Sequence, residues 1–436
     1  MRAAGRTQAV IDLLNEIGAS EQAADRLFEK WSRQHRYAGS KDRRAISDMF
    51  YTILRHKGLL HWCVTGEKLV SRVPASKVPS EAADVDQAED TIASARLLAF
   101  AFLRRFEAFT MEELSELADG ERFAPSKMTA DEEAVLAAMD TIDLPHDSVI
   151  ANSVPDWAVS GMRKSLGGDF DLTVDRLNRR APIDLRVNLA RISPAHAKKG
   201  LEEEGIICDP LDLSIGALRV REGRNVTQTK IYQDGLIEVQ DLAAQAVCDF
   251  IGDSEDTTIL DYCAGAGGKA LALAAITEER ARIYVHDIDP RRLRALWPRL
   301  KRAAFSCIEA AFDLDALEGK MDLVVADVPC SGSGRWRRNP ETKWQMTPQK
   351  LAELCDTQAK ILDEAAQYVA PDGRLAYVTC SLLSEENQDQ IDAFLLRNKN
   401  FVLAGALDEA PSDVLYGPAT HDCDGLYACV LKRVVT

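Results

Sequence analysis

The chain has little of what would tie it to a membrane, a disulfide framework or a structural metal. Its longest apolar runs, such as LLAFAF from Leu97, are a fraction of the roughly 20 residues a bilayer span requires, so no membrane role is expected. Its ten cysteines contain no C-x-x-C pair and no Cys/His cluster, which removes a disulfide scaffold and a zinc site as readings, and no metal is expected. The first residues, MRAAGRTQAVIDLLNEIGASEQ, reach charge before any apolar stretch long enough for a signal peptide; this predicts a cytoplasmic protein with reduced thiols. Positive charge is also scarce. With 53 Lys and Arg against 69 Asp and Glu, the net charge of -16 argues against indiscriminate nucleic-acid binding, yet leaves local basic patches free.

Those patches are present: KWSRQHRYAGSKDRRAISDMFYTILRHK, RLNRRAPIDLR, RRLRALWPRLKR and RWRRNPETKW, set against acidic stretches such as SEAADVDQAED. A basic stretch is often a solvated helix face. Four of them, two near the motifs described below, favour an RNA or DNA ligand.

At 436 residues there is room for two or three domains. Residues 1–150 read as helical, with Ile46, Met49, Phe50, Ile53 and Leu54 at i, i+3, i+4, i+7 and i+8. The acidic stretch from Pro74 to Asp90 reads as a loop between helical halves. Residues 151–235 mix helix and strand and read as a small α+β connecting subdomain; IDLRVNLA is a strand, and SPAHAKKGLEEEGI is a helix with a Ser cap and Pro at its first position. Residues 236–436 alternate β-rich runs with helices. Seven strands are expected there, starting in TTILDYCAG, ARIYVHDID, FSCIEAAFD, MDLVVADVP, RLAYVTCSL, FVLAGAL and LYACVLKRVV, the last two including an antiparallel pair. A helix over Pro348–Val369, stopped by PDG, joins the fourth to the fifth.

DYCAGAGGKA lies between an expected strand and helix, where backbone amides and the positive helix end suit a polar or anionic ligand. A Walker A loop does not fit, because Cys263 and Ala270 stand where glycine and Ser/Thr are needed. Gly265, Gly267 and Ala270 do satisfy a dinucleotide fingerprint, with Asp287 in place for a ribose. S-adenosylmethionine suits the same arrangement, and so does a plain tight turn.

The discriminating residues stand at the ends of the fourth and fifth strands, the edge where open α/β sheets bind ligands. One ends in Asp327-Val328-Pro329-Cys330 and the other in Val378-Thr379-Cys380-Ser381. Either cysteine alone reads best as a small buried hydrophobe. Two at one sheet edge suit a chemistry that hydride transfer does not need. Carbon 5 of cytosine is a poor nucleophile until a thiolate adds to carbon 6. A free thiol, with a pKa of about 8.5, must then be lowered by positive charge or donors, and Arg335, Arg337, Arg338 and Lys343 are close in sequence, where they would also hold RNA phosphates.

DYCAGAGGKA, HDIDPRRL, DVPCSGSGRWRRNPETKW and VTCSLLSEENQDQI, preceded by APIDLRVN and GLIEVQDLAAQ, resemble the RsmB/Sun family of RNA (cytosine-5) methyltransferases from about Pro182 onward. The resemblance implies a Rossmann-like α/β methyltransferase domain with a seven-stranded mixed sheet. It implies Cys380 as nucleophile, Cys330 as the thiol assisting product release, and Asp327 bonding the cytosine ring and bordering the cofactor. Cys263, Ala264, Gly265, Ala266, Gly267, Gly268 and Lys269 would line S-adenosyl-L-methionine, with Asp287 on its ribose and Asp313 on its adenine. Ala266 departs from the proline usual in that loop. RYAGSKDRRAISDMFYTILRHK resembles the NusB-like helical RNA-binding domain attached to bacterial RsmB proteins. The expected partner is RNA, 16S rRNA in the first instance, bound by a monomer. Rival readings are a methyltransferase for tRNA or another RNA, a DNA cytosine-5 methyltransferase using the Pro-Cys thiol, a NAD-dependent oxidoreductase, and a non-catalytic RNA-binding assembly factor.

Overall fold

The computed structural model describes residues 1–69, 93–223, 225–252, 256–406 and 411–434; the loop expected from Pro74 to Asp90 lies outside them. The chain forms two compact units.

The first comprises residues 1–163, 167–179 and 336–348. Helix Ser40–Arg55 buries Ile46, Met49, Phe50, Ile53 and Leu54, the stripe its spacing predicts. They join one core with Val10, Leu13 and Leu14 of helix Ala3–Gly18 and with Leu98 to Leu103 of helix Ala95–Phe106. Local sequence sets the helix starts: Thr110 with Glu113, and Thr129 with Glu132, close reciprocal capping boxes. No strand occurs among the described residues of this unit.

The helical unit extends past residue 150 through helix Phe170–Leu177, and is completed by a segment from far along the chain. Trp336 meets Trp157 edge-on at 5.9 Å between ring centroids. Trp344 Nε1 donates to the Leu54 carbonyl at 2.8 Å, and the Ala24 amide donates to Glu341 Oε1 at 3.0 Å. Burying an indole such as that of Trp336 stabilises the unit by on the order of 3 kcal/mol.

The second unit comprises residues 164–166, 180–335 and those from 349 onward. It opens with β1 (Asp184–Val187), β2 (Ile207–Pro210), β3 (Ala217–Glu222) and β4 (Ile237–Val239), an antiparallel sheet in the order β2-β3-β1-β4. Helix Pro194–Glu203 packs Ala197 and Leu201 into its core; the Ser193 hydroxyl accepts the His196 amide and Pro194 occupies the first position, as expected.

The large sheet follows: β5 (Thr258–Asp261), β6 (Arg282–Val285), β7 (Ile308–Ala310), β8 (Met321–Asp327), β9 (Val369–Thr379), β10 (Phe401–Leu403), β11 (Asp413–Tyr416) and β12 (Leu426–Arg433). The order is β10-β12-β9-β8-β5-β6-β7, parallel from β7 to β9 and antiparallel where β12 meets β9 and β10. All seven expected strands are present. The eighth, β11, was not expected; it shares with β10 the edge of β12 that faces away from β9. PDG does not stop the long helix, which ends as an α-helix at Ala365. Those three residues lie inside β9, where its register against β8 slips and Asp372 takes a φ of +61°. Chain order reverses between β5 and β8, so their carboxyl ends, with that of β9, open onto the crevice of a doubly wound sheet.

Candidate active site

The loop after β5 is built for a close approach. Gly265 and Gly267 have φ of +53° and +73°, and a Cβ on Gly267 would fall 2.2 Å from Leu296 Cδ1, so no side chain fits there. Gly268 opens helix Gly268–Ile276 and directs its first amides along the positive helix end. The loop is held from three sides: the Gly265 amide donates to Asp287 Oδ2 at 2.9 Å, the Ala266 carbonyl accepts from Arg299 at 2.6 Å, and the Gly268 carbonyl accepts from Arg186 of β1 at 2.9 Å. Asp287, buried two residues past β6, also pairs with Arg292 at 3.0 Å. Cys263 and Ala264 are half-buried at the loop's start, and burial pushes the Cys263 thiol up to about 12. Asp313 stands exposed three residues past β7 and accepts the Ala316 amide at 3.2 Å.

Two features near these acids were missed from sequence. Ile288 is 92% exposed and Phe312 is 95% exposed, so each acid has an uncovered apolar neighbour in the chain. The signal was a large apolar residue immediately beside Asp287 or Asp313.

At the ends of β8 and β9 the structure brings Cys330 and Cys380 together, with 3.2 Å between their sulfurs. Lys269 Nζ reaches Asp327 Oδ2 at 2.5 Å. Burial alone would lower Lys269, but the Asp327 carboxylate holds its ammonium above the usual range. The two thiols are driven apart. A hydrogen bond from Cys330 lowers Cys380 against the opposing effect of burial, helped by the charges of Arg335 and Lys269, while Cys330 is raised by that same bond and by burial. The environment therefore favours charge on Cys380 over Cys330.

Beneath them lies a polar network that sequence reading did not assemble. Ser333 Oγ contacts Ser381 Oγ at 3.1 Å and accepts the Leu382 amide at 2.9 Å. Asn387 bonds the Thr379 hydroxyl and the Ser381 carbonyl on either side of Cys380. A Cβ on Gly334 would stand 2.1 Å from the Gly425 carbonyl, so the turn after Cys330 also requires glycine.

The basic stretch divides. Arg335 is 49% exposed and belongs to the sheet unit, and Arg338 is half-buried. Arg337 and Lys343 correct the sequence expectation: both are 1% exposed within the helical unit and present no charge to a phosphate. Lys343 Nζ donates to Asn178 Oδ1 at 2.7 Å and to the Arg55 carbonyl at 3.2 Å, over the Trp336 ring. The Arg337 carbonyl accepts from the Arg55 guanidinium. Burial, then Arg55, pushes Lys343 down to about 7 from an ordinary 10.5. Between those pH values the unfolded chain holds the extra proton, so stability rises with pH across that window. Lys343→Met is expected to flatten that rise, checked by thermal unfolding from pH 6 to 10 beside the parent protein, and to leave the salt dependence of RNA binding unchanged.

Among the described residues there is no group of metal-ligating side chains and no helix long and apolar enough to cross a membrane. A family model described as 16S rRNA methyltransferase RsmB/F matches residues 250–432, and one described as the ferredoxin-like domain of RsmF/B-like methyltransferases matches residues 154–227. The ribosomal RNA small subunit methyltransferase B of Citrobacter koseri is 32% identical over 285 residues, 64% of this chain and 66% of that protein. Its counterpart from Vibrio cholerae is 31% identical over 284 residues, 64% and 65%. The matches thus span just under two thirds of these relatives. Among solved structures, PH0851 has a TM-score of 0.73 at 22% identity over 99% of both chains. NSun6 from Pyrococcus horikoshii, solved with SFG, has a TM-score of 0.55 at 16% identity over 65% of this chain and 99% of that one. These two likenesses show the fold.

Proposed function

We propose, on the match of residues 250–432 to the model of 16S rRNA methyltransferase RsmB/F, that the protein is an RNA (cytosine-5) methyltransferase dependent on S-adenosylmethionine, acting on a cytosine of 16S rRNA. The observation that carries this reading is the polarised thiol pair at the ends of β8 and β9, beside Asp327. A chemistry without covalent addition has no use for it.

The residues present fit the cofactor. A glycine cradle of backbone amides suits its amino-acid part, buried Asp287 its ribose, and Asp313 with the exposed Ile288 and Phe312 its adenine. When bound, S-adenosylmethionine supplies the methyl group as an electrophile. Lys269 and the loop from Cys263 hold the pocket's polar wall. Cys380 adds as thiolate to carbon 6 of the cytosine, which makes carbon 5 nucleophilic. Asp327, fixed by Lys269, hydrogen-bonds the ring. After methylation a base takes the carbon-5 proton, and the bond from carbon 6 to the Cys380 sulfur breaks, restoring the aromatic ring; Cys330 assists that release.

In this reading residues 1–150 are a NusB-like RNA-binding domain, residues 151–235 a connecting subdomain, and residues 236–436 the catalytic domain, all in a monomer. The test is to map 5-methylcytosine in RNA from cells with and without the protein. One 16S rRNA position should lose its methyl group, and an unchanged map would reject the reading. Arg335 is exposed, and its positive charge is among the influences that lower Cys380, so it can serve both RNA phosphate and thiol. Arg335→Gln is expected to reduce the salt slope of RNA binding by roughly one unit, with cofactor affinity unchanged, as read from binding titrations at several salt concentrations.

A further inference from the structure

Glu386 is fully buried, yet among the described residues no lysine or arginine is bonded to it. An interior carboxylate without a cation is costly unless donors surround it. Here they do. Glu386 Oε1 accepts the Ser331 amide at 2.8 Å and Gln358 Nε2 at 3.0 Å, while Oε2 accepts the Ser331 hydroxyl at 2.5 Å. The same Gln358 amide donates to the Pro329 carbonyl at 2.9 Å, and Tyr377 fixes Glu386 by donating to its carbonyl at 2.6 Å. The residues bound on either side, Pro329 and Ser331, are the two neighbours of Cys330.

We propose that Glu386 is the positioning residue for Cys330: it holds Ser331 directly and Pro329 through Gln358, one on each flank of that thiol, and, as a nearby fixed negative charge, keeps the proton of the pair on Cys330 so that Cys380 carries the charge. A glutamine of the same shape could hold some of these bonds but would supply no field. The negative charge of Glu386 is among the influences that raise Cys330. The inference rests on the proposed function only for the meaning of the pair, since the clamp itself is geometry.

The test is alkylation of the full-length protein by iodoacetamide across pH without RNA, with each cysteine followed by peptide mass spectrometry. In the parent protein Cys380 should react at lower pH than Cys330. In Glu386→Gln the Cys330 midpoint should fall and the Cys380 midpoint rise, closing the gap by about one pH unit, roughly tenfold in relative reactivity near neutrality. Cofactor affinity should hold. A gap equal to that of the parent, or a loss of cofactor affinity as large as the change in thiol reactivity, overturns the inference. If Glu386→Gln fails to fold, Ser331→Ala removes one bond of the clamp and should narrow the gap in the same direction; an unchanged gap there is equally fatal. Because no RNA is present, this outcome is separate from that of the covalent reading, which fails if Cys380→Ala retains methyl transfer.

Discussion

Replacing Cys380 with alanine is expected to lower methyl transfer by roughly 10⁴-fold or more, the scale on which loss of a covalent nucleophile acts. Cofactor affinity should be unchanged. No neighbouring thiol takes over: burial pushes Cys248, Cys263 and Cys429 up to about 12, and Cys330 is raised as well. Only Cys380 among these is lowered, by the hydrogen bond from Cys330 and by the charges of Arg335 and Lys269, which favours its thiolate over those of its neighbours. Single-turnover transfer of a labelled methyl group, with cofactor binding measured by calorimetry, checks the split. Activity within tenfold of the parent would remove Cys380 from the chemistry.

Cys330→Ala should fail in the opposite way. Addition and methylation remain open to Cys380, but release is impaired, so turnover stops near one equivalent and a denaturation-resistant protein–RNA adduct accumulates. The substitution also removes the hydrogen bond that lowers Cys380, so the first turnover should become more dependent on high pH. A gel of denatured reaction mixtures reads the adduct directly. Loss of activity with no adduct would make Cys330 part of the addition step instead of release.

The parallel strands were legible because each is a β-branched or apolar run ending in a polar turn, a pattern that local sequence controls. β11 was not, since Asp413–Tyr416 is four residues long and, among the described residues, gains its pairing from β12 alone. The glycine loop and the two thiols were legible for a related reason: their chemistry depends on residue type at fixed short spacing. Arg337 and Lys343 were misread because positive charge is visible in sequence and burial is not. What compensates Lys343 comes from Asn178 and Arg55, 165 and 288 residues away. Glu386 escaped notice similarly; in SLLSEENQ it is one of two adjacent glutamates, and only the fold sends it inward while its neighbour Glu385 remains half-buried.

The excursion that carries Trp336–Pro348 into the helical unit sets a timetable for synthesis. Helices up to Leu177 leave the ribosome first, but the site that seats Trp336, Glu341 and Lys343 stays unfilled until Pro348 follows, 169 residues after Arg179. At about 5–20 residues per second that interval is on the order of 10–30 s. During it the nascent helices display the apolar surface later covered by Trp336, along with unclaimed partners such as Asn178 Oδ1 and the Leu54 carbonyl. The helical unit is therefore begun first yet left open while residues 180–335 of the sheet unit are made, and a chaperone that shields exposed apolar surface would have a long opportunity there.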